Sequence, residues 1–182
     1  MIEELLHDLE LSDSAWKIAR LRYFDPVGAH ESGLIRKSLR GMPNNLMPYI
    51  TQIAVGLRER LQVFRNDAPT LDGTGVRDYI HVMDLAEGRV AVLRFLQRED
   101  ADLVVSLGTG RGTSVLEMNC CLERVNDRLM PFDVVLRHPG DVAVGYADVG
   151  LARKRQGRTT PRKPDDMCRD AWRWQSSLTV GE

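Results

Sequence analysis

Asp102-Leu-Val-Val-Ser-Leu-Gly-Thr-Gly-Arg-Gly112 is an apolar run of strand length that ends in a glycine loop, and Ser114 to Val125 follows it as a helix. Strand, turn and helix in that order are the unit from which α/β folds are built. The alternation continues in both directions. Upstream, Val82 to Leu96 reads as a helix with Asp84 near its start, where negative charge is favourable. Before it, Asp78 to His81 is short and extended, and Asn66 to Gly75 is a loop rich in Asp, Pro, Thr and Gly. Leu61 to Phe64 is a short strand. Leu46 to Leu57 is a helix with Leu46, Ile50, Ile53, Ala54 and Leu57 on one face, entered from a turn cluster at Gly41 to Asn45. Trp16 to Phe24 is a strand, stopped by Pro26 and Gly28. Ile2, Leu5, Leu6 and Leu9 recur at helical spacing, which predicts a short amphipathic helix over Met1 to Leu11. Downstream, Phe132 to Arg137 reads as a strand, and Asp148 to Arg155 and Asp165 to Ser176 as helices. Pro164 is preset for a first helical turn. The predicted class is α/β.

The chain has 182 residues, enough for one compact unit with a core of its own. Hydrophobic residues make up 43% and charged residues 28%, an ordinary globular balance. The net charge of -1 provides no global field toward nucleic acid or an acidic membrane, so neither is expected as a partner. The cysteines, Cys120, Cys121 and Cys168, form no Cys-x-x-Cys pair, so neither a disulfide framework nor a zinc site is indicated. A reducing, cytoplasmic setting is expected. Glu3, Glu4, Asp8 and Glu10 near the start are unlike a signal peptide, and no apolar run approaches the roughly 20 residues of a membrane span.

Other features invite a functional reading and also have a plainer one. Gly108-Thr-Gly-Arg-Gly112 lies where a dinucleotide-binding loop would sit, but the third glycine of Gly-x-Gly-x-x-Gly falls on Thr113. A tight strand-to-helix turn is the better account. The basic stretch from Arg153 to Lys163 lacks interleaved aromatics and reads as a solvated helix end plus loop. His7, His30, His81 and His138 share no metal-ligand spacing. Asp165 and Asp166 suit a helix start and need no catalytic role.

Several polar, glycine-rich loops carry aromatic or arginine anchors. They are Leu21-Arg-Tyr-Phe-Asp-Pro-Val-Gly-Ala-His30, Gly41-Met-Pro-Asn-Asn-Leu-Met-Pro-Tyr49, Asp72-Gly-Thr-Gly-Val-Arg-Asp-Tyr-Ile-His-Val82, Leu107-Gly-Thr-Gly-Arg-Gly112 and Pro139-Gly-Asp141. In this order the set resembles the C-terminal half of the UDP-glucose 4-epimerase family, also called UDP-galactose 4-epimerases, among the extended short-chain dehydrogenase/reductases. The resemblance implies a Rossmann-like α/β fold. It also implies a single unit over 1–182, with 1–30 the remnant of a dinucleotide-binding domain and 31–182 mainly the nucleotide-sugar-binding part.

The resemblance implies chemistry too. In this family NAD takes a hydride from C4 of the sugar while a tyrosine, four residues before a lysine, takes the hydroxyl proton. Four residues beyond Tyr23, Tyr49, Tyr79 and Tyr146 stand Val27, Ile53, Met83 and Gly150, so no catalytic residue is assigned here. Met1-Ile-Glu-Glu-Leu-Leu looks like the segment just after the catalytic lysine. The expectation is therefore a truncated epimerase, inactive alone and not binding NAD by itself. For the substrate, the resemblance implies Asp25 beside the sugar. It places Asn44, Asn45 and Leu46 near the diphosphate, Phe64 near the uracil, Arg77 and His138 on phosphate, and Asp141 on the ribose. Tyr23, Phe24 and Pro26 would line the nicotinamide pocket. By their residue types alone, Phe24 and Phe64 also suit a core and Asn44-Asn45 a helix cap.

The chain departs from the family pattern at several positions. Asp25 stands where the family has asparagine, Arg65 where it has glycine and Ala68 where it has tyrosine. His138 stands for a second phosphate-binding arginine, and Gly145 for tyrosine or cysteine. Expected partners are a UDP-sugar, bound weakly or not at all, and, through an unpaired edge of the Trp16–Phe24 strand and the Met1–Leu11 helix, self-association or pairing with an intact epimerase. A non-enzymatic UDP-sugar-binding or epimerase-interacting module is the alternative.

Overall fold

A computed structural model describes residues 1–35, 43–64, 67–99, 103–136, 142–157 and 159–179. The predicted alternation is present. The chain opens with helix α1 (Ile2–Ser12), strands β1 (Ala19–Tyr23) and β2 (Asp25–Val27), helix α2 (Leu46–Ala54) and strand β3 (Leu61–Phe64). It continues through β4 (Val76–Arg77), β5 (Tyr79–His81), α3 (Val82–Arg98), β6 (Leu103–Leu107), β7 (Thr113–Ser114) and α4 (Val115–Asn126). It closes with β8 (Phe132–Val135), β9 (Val144–Gly145), α5 (Gly150–Gln156) and α6 (Pro164–Thr179).

The strands pair mostly in parallel. β1 pairs with β6, with Ala19 opposite Leu103 and Tyr23 opposite Leu107. β2 pairs with β5 and β3 with β8. β4 lies between β7, antiparallel, and β9, parallel. Parallel neighbours far apart in sequence need crossovers, and helices α2, α3 and α4 provide them.

Alternation along β5 explains how the core is partitioned. Successive strand residues face opposite sides. Tyr79 therefore joins one apolar cluster, with Val27, Met47, Ile50, Val63, Met118, Leu122 and Cys168. Ile80 joins the other, with Leu85, Val92, Phe95, Leu103, Val105 and Leu107. Ile50, Ile80 and Leu122 have no exposed surface, and burying each contributes about 1.5–3 kcal/mol.

Three local readings need correction. Pro26 does not stop the chain's extended run. The run breaks at Phe24 and resumes as β2, which ends before Gly28 at φ +84°. A proline lacks only an N–H, and β2 has one strand partner among the described residues, so its ring can face the unpaired side. The α2 helix ends at Ala54, because Gly56 takes φ +82° and turns the chain. Leu57, placed on the buried face by periodicity, is thus mostly exposed. The short strands β7 and β9 are too brief for any pattern to reveal.

His81 ties β5 to two helices. Its Nδ1 accepts from the Met83 backbone N–H at 3.1 Å, which leaves the ring proton on Nε2 to donate to Asp170 Oδ2 at 3.2 Å. The ring also fills the space in which a Cβ on Gly28 would sit. Burial lowers the imidazole pKa, and the Asp170 carboxylate only partly offsets this. A histidine depressed in the native state contributes stability above its unfolded value near 6.5, and that stability is lost as pH falls through the folded value. Between pH 7.5 and 5.5 the unfolding free energy should drop in the native chain by about 1 kcal/mol more than in His81→Gln. Urea titrations at the two pH values measure the difference, and equal drops would remove His81 as the titrating group.

Candidate functional site

The Gly108–Gly112 loop is built around a carboxylate of the chain itself. Asp78, with no exposed surface, lies between β4 and β5. Its Oδ1 accepts from the Thr109 backbone N–H at 2.8 Å and from the Thr109 hydroxyl at 2.5 Å. Its Oδ2 accepts from the backbone N–H groups of Gly110 at 2.9 Å and Ala147 at 3.1 Å. The loop glycines make this approach possible. A Cβ on Gly108 would lie 2.5 Å from both Ala147 Cβ and Asp78 Oδ2, and Gly110 takes φ +71°. The turn reading of this loop holds in part, since β7 intervenes between loop and helix. Sequence spacing did not single out Asp78, because its donors lie 31 to 69 residues away.

A second carboxylate anchors the segment before α6. Asp84, fully buried in the first turn of α3, pairs with the Arg162 guanidinium and accepts from the Arg162 backbone N–H at 3.3 Å. Arg162 also reaches Glu87 at 3.0 Å. Within the basic stretch, Arg153, Lys154, Arg155 and Lys163 are exposed, as the solvated reading expects, whereas Arg162 is a structural tie. At the start of α4, Ser114 and Glu117 form a reciprocal capping box, and the Ser114 hydroxyl donates to Asp72. Asp72 also accepts from the Thr74 backbone N–H and hydroxyl, which closes the loop that precedes Arg77.

The residues expected to line a nicotinamide pocket sit together at the end of β1 and the start of β2. Tyr23 is half exposed, with the Arg89 guanidinium 4.7 Å from its ring centroid. Phe24 is half-buried, so it neither joins the core clusters nor lies free on the surface. Pro26 is exposed.

Among the expected substrate residues, Asp25 and Arg77 are neighbours. Asp25 faces Tyr79 across the β2–β5 ladder, its backbone N–H donates to Asp78 O at 3.0 Å, and it lies within electrostatic reach of Arg77. Partial desolvation raises the Asp25 carboxyl above its ordinary range although the residue reaches solvent; the Arg77 cation opposes this and the Asp78 anion adds to it. Arg77 is half-buried, and its Nη1 donates to Val76 O at 2.9 Å. Gly145 stands opposite Arg77 on β9, and a Cβ there would meet nothing within 4 Å, whereas Arg77 Nη1 lies 3.6 Å from where a Cβ on Gly75 would sit.

Asn44 and Asn45 are exposed ahead of α2. Asn45 occupies the cap position without a side-chain capping bond, so its amide is not committed to the helix. Leu46 packs partly against the first cluster. Phe64 is 42% exposed at the end of β3, on the face opposite the buried Leu61 and Val63, which removes the core reading for it. His138 and Asp141 lie outside the described residues, as does Arg65. A small cleft of about 20 Å³ at the end of β6 is lined by Ser106, Gly108, Thr109, Val149, Arg153 and Thr160 among others. It has room for about one water and includes none of the expected site residues.

Among the described residues, no group of three or more His, Cys, Asp or Glu side chains is placed to hold a metal ion, and no helix is long and apolar enough to cross a membrane. The glycine loop does not fit a dinucleotide. Its Thr109 and Gly110 N–H groups already hold Asp78, and its Arg111 N–H donates to the Thr109 hydroxyl.

The family model for NAD dependent epimerases and dehydratases matches residues 1–108. The UDP-glucose 4-epimerase of Bacillus subtilis (strain 168) is 50% identical over 181 residues, which are 100% of this chain and 53% of that protein. The human UDP-glucose 4-epimerase is 51% identical over 180 residues, 99% of this chain and 52% of that one. Among solved structures, the Stenotrophomonas maltophila UDP-glucose-4-epimerase with bound NAD and formylated UDP-arabinopyranose superposes with a TM-score of 0.94 at 46% identity, covering 100% of this chain and 54% of that chain. The Bifidobacterium longum UDP-glucose 4-epimerase with NAD+ and UDP gives 0.91 at 44% identity, covering 99% and 53%. The chain thus spans about half the length of the relatives it matches. Its α/β fold is that of the epimerase structures, and by the family match over residues 1–108 the chain belongs to the NAD dependent epimerase/dehydratase family.

Proposed function

We propose that these 182 residues form the nucleotide-sugar-gripping part of a UDP-glucose 4-epimerase, and that by themselves they bind a UDP-sugar weakly without interconverting it. The observation that carries the reading is Arg77. A half-buried guanidinium on β4, on the strand paired with β9, suits a diphosphate, whose paired oxygens match its planar fork. Asn45, exposed and without a capping bond, offers an amide to the same ligand, and Phe64 an aromatic face for the base. His138 and Asp141 complete the expected set of phosphate and ribose contacts.

Epimerisation needs a hydride acceptor and a base. NAD supplies the first when bound, and a tyrosine paired with a lysine supplies the second. No Tyr-x-x-x-Lys pair occurs in this sequence, so no step of the reaction is assigned to its residues. Tyr23 and Phe24 would contribute a wall to a nicotinamide pocket completed by other residues. Calorimetry should detect UDP-glucose binding at roughly millimolar affinity, about -4 kcal/mol. Mixtures with UDP-galactose and added NAD should show no interconversion. Turnover by this chain alone, or silence in the calorimeter at about 5 mM ligand, would overturn the proposal.

A further inference from the structure

Asp25 is held in place by the backbone. The β2–β5 ladder sets it opposite Tyr79, and its N–H donates to Asp78 O at 3.0 Å. That register puts its carboxyl near Arg77 on the neighbouring β4, on a surface that remains open to solvent. Arg77 and Asp78 face it from the β4–β5 segment. The Tyr79 phenol, pushed up by burial and then by Asp25 itself, stays neutral. On α3, Asp84 and Glu87 are paired with Arg162, and Arg89 lies over the Tyr23 ring. The Asp78 carboxylate is enclosed by its N–H donors. Asp25 is therefore the one carboxylate in this set that both senses Arg77 and can face a solvent-borne anion.

We propose that Asp25 sets the ligand preference of the Arg77 site, its negative charge weakening the binding of anionic nucleotide sugars at neutral pH. The inference rests on the reading of Arg77 as the diphosphate-binding cation. A carboxylate within electrostatic reach offsets part of the guanidinium's field and repels the incoming diphosphate. The partly desolvated carboxyl is raised above the usual range, so mild acid relieves the repulsion by protonation. An electrostatic brake of this kind weakens with salt.

The test is calorimetry with UDP-glucose on the native chain, Asp25→Asn and Asp25→Ser, at pH 7.5 and 5.5 and at low and high salt. At pH 7.5 and low salt both variants should bind about 5- to 30-fold more tightly than the native chain. The gap should narrow at pH 5.5 and again in high salt. Unchanged or weaker binding by both variants, with the native chain binding measurably, would overturn the inference alone. Silence from all three proteins would reject the reading of Arg77, and the inference with it. Two substitutions of different size guard against one of them failing to fold.

Discussion

Replacing Asp78 with alanine should remove a large share of the chain's folding stability. The carboxylate accepts from three backbone N–H groups and one hydroxyl in a site without exposed surface. Alanine removes every acceptor at once and leaves the buried Ala147 N–H, and the part-buried N–H groups of Thr109 and Gly110, without their partner. An unpaired buried donor costs about 1–3 kcal/mol, so the loss is about 4 kcal/mol or more. A domain of this kind has only about 5–15 kcal/mol in total. Asparagine should be milder, about 2–3 kcal/mol, because its oxygen can keep the Thr109 pair while its amide nitrogen must face donors on the other side. Urea titrations followed by circular dichroism check both. A midpoint for Asp78→Ala within error of the native chain would show that the glycine loop does not depend on this carboxylate.

Arg77→Gln should reduce UDP-glucose affinity 10- to 100-fold while leaving folding nearly intact. Its side chain belongs to neither core cluster, and its hydrogen bond to Val76 O lies within its own strand. A charge-assisted hydrogen bond is worth roughly 1.5–3 kcal/mol, which sets the size of the effect. Lysine should recover little, because a point charge cannot match paired phosphate oxygens as a planar fork does. Calorimetry measures the affinities, and thermal melts within a few degrees of the native chain show that the loss is one of binding. Unaltered affinity in Arg77→Gln would remove the residue from the site. A large drop in melting temperature would make its role structural instead.

Much of the element order was legible in the residues because it is local. The spacing of Ile2, Leu5 and Leu9 describes α1, and the alternation of Leu61 and Val63 with Gln62 and Phe64 describes β3. Failures came where a single residue overruled a pattern, as Gly56 did at the end of α2, or where an element had two residues, as in β7 and β9. The expected site residues came from the resemblance of whole motifs, not from periodicity. The structure places Phe64 and Asn45 at the surface and Asp25 within electrostatic reach of Arg77.

What the sequence determined alone was the α/β class, the helix and strand order, and membership of a family through motifs that occur in unbroken order. The class and element order depend on side-chain spacing within a few turns of helix or a few residues of strand, and the family on the resemblance of whole motifs. Only the tertiary structure decided that the glycine loop encloses Asp78 instead of a cofactor, that His81 donates to Asp170, and that Arg162 is committed to Asp84. Each of these joins groups 31 to 89 residues apart. No linear pattern encodes such a pairing. It follows from where packed strands bring a buried carboxylate or imidazole, and a buried polar group must find its partner there or lose the stability that burial confers.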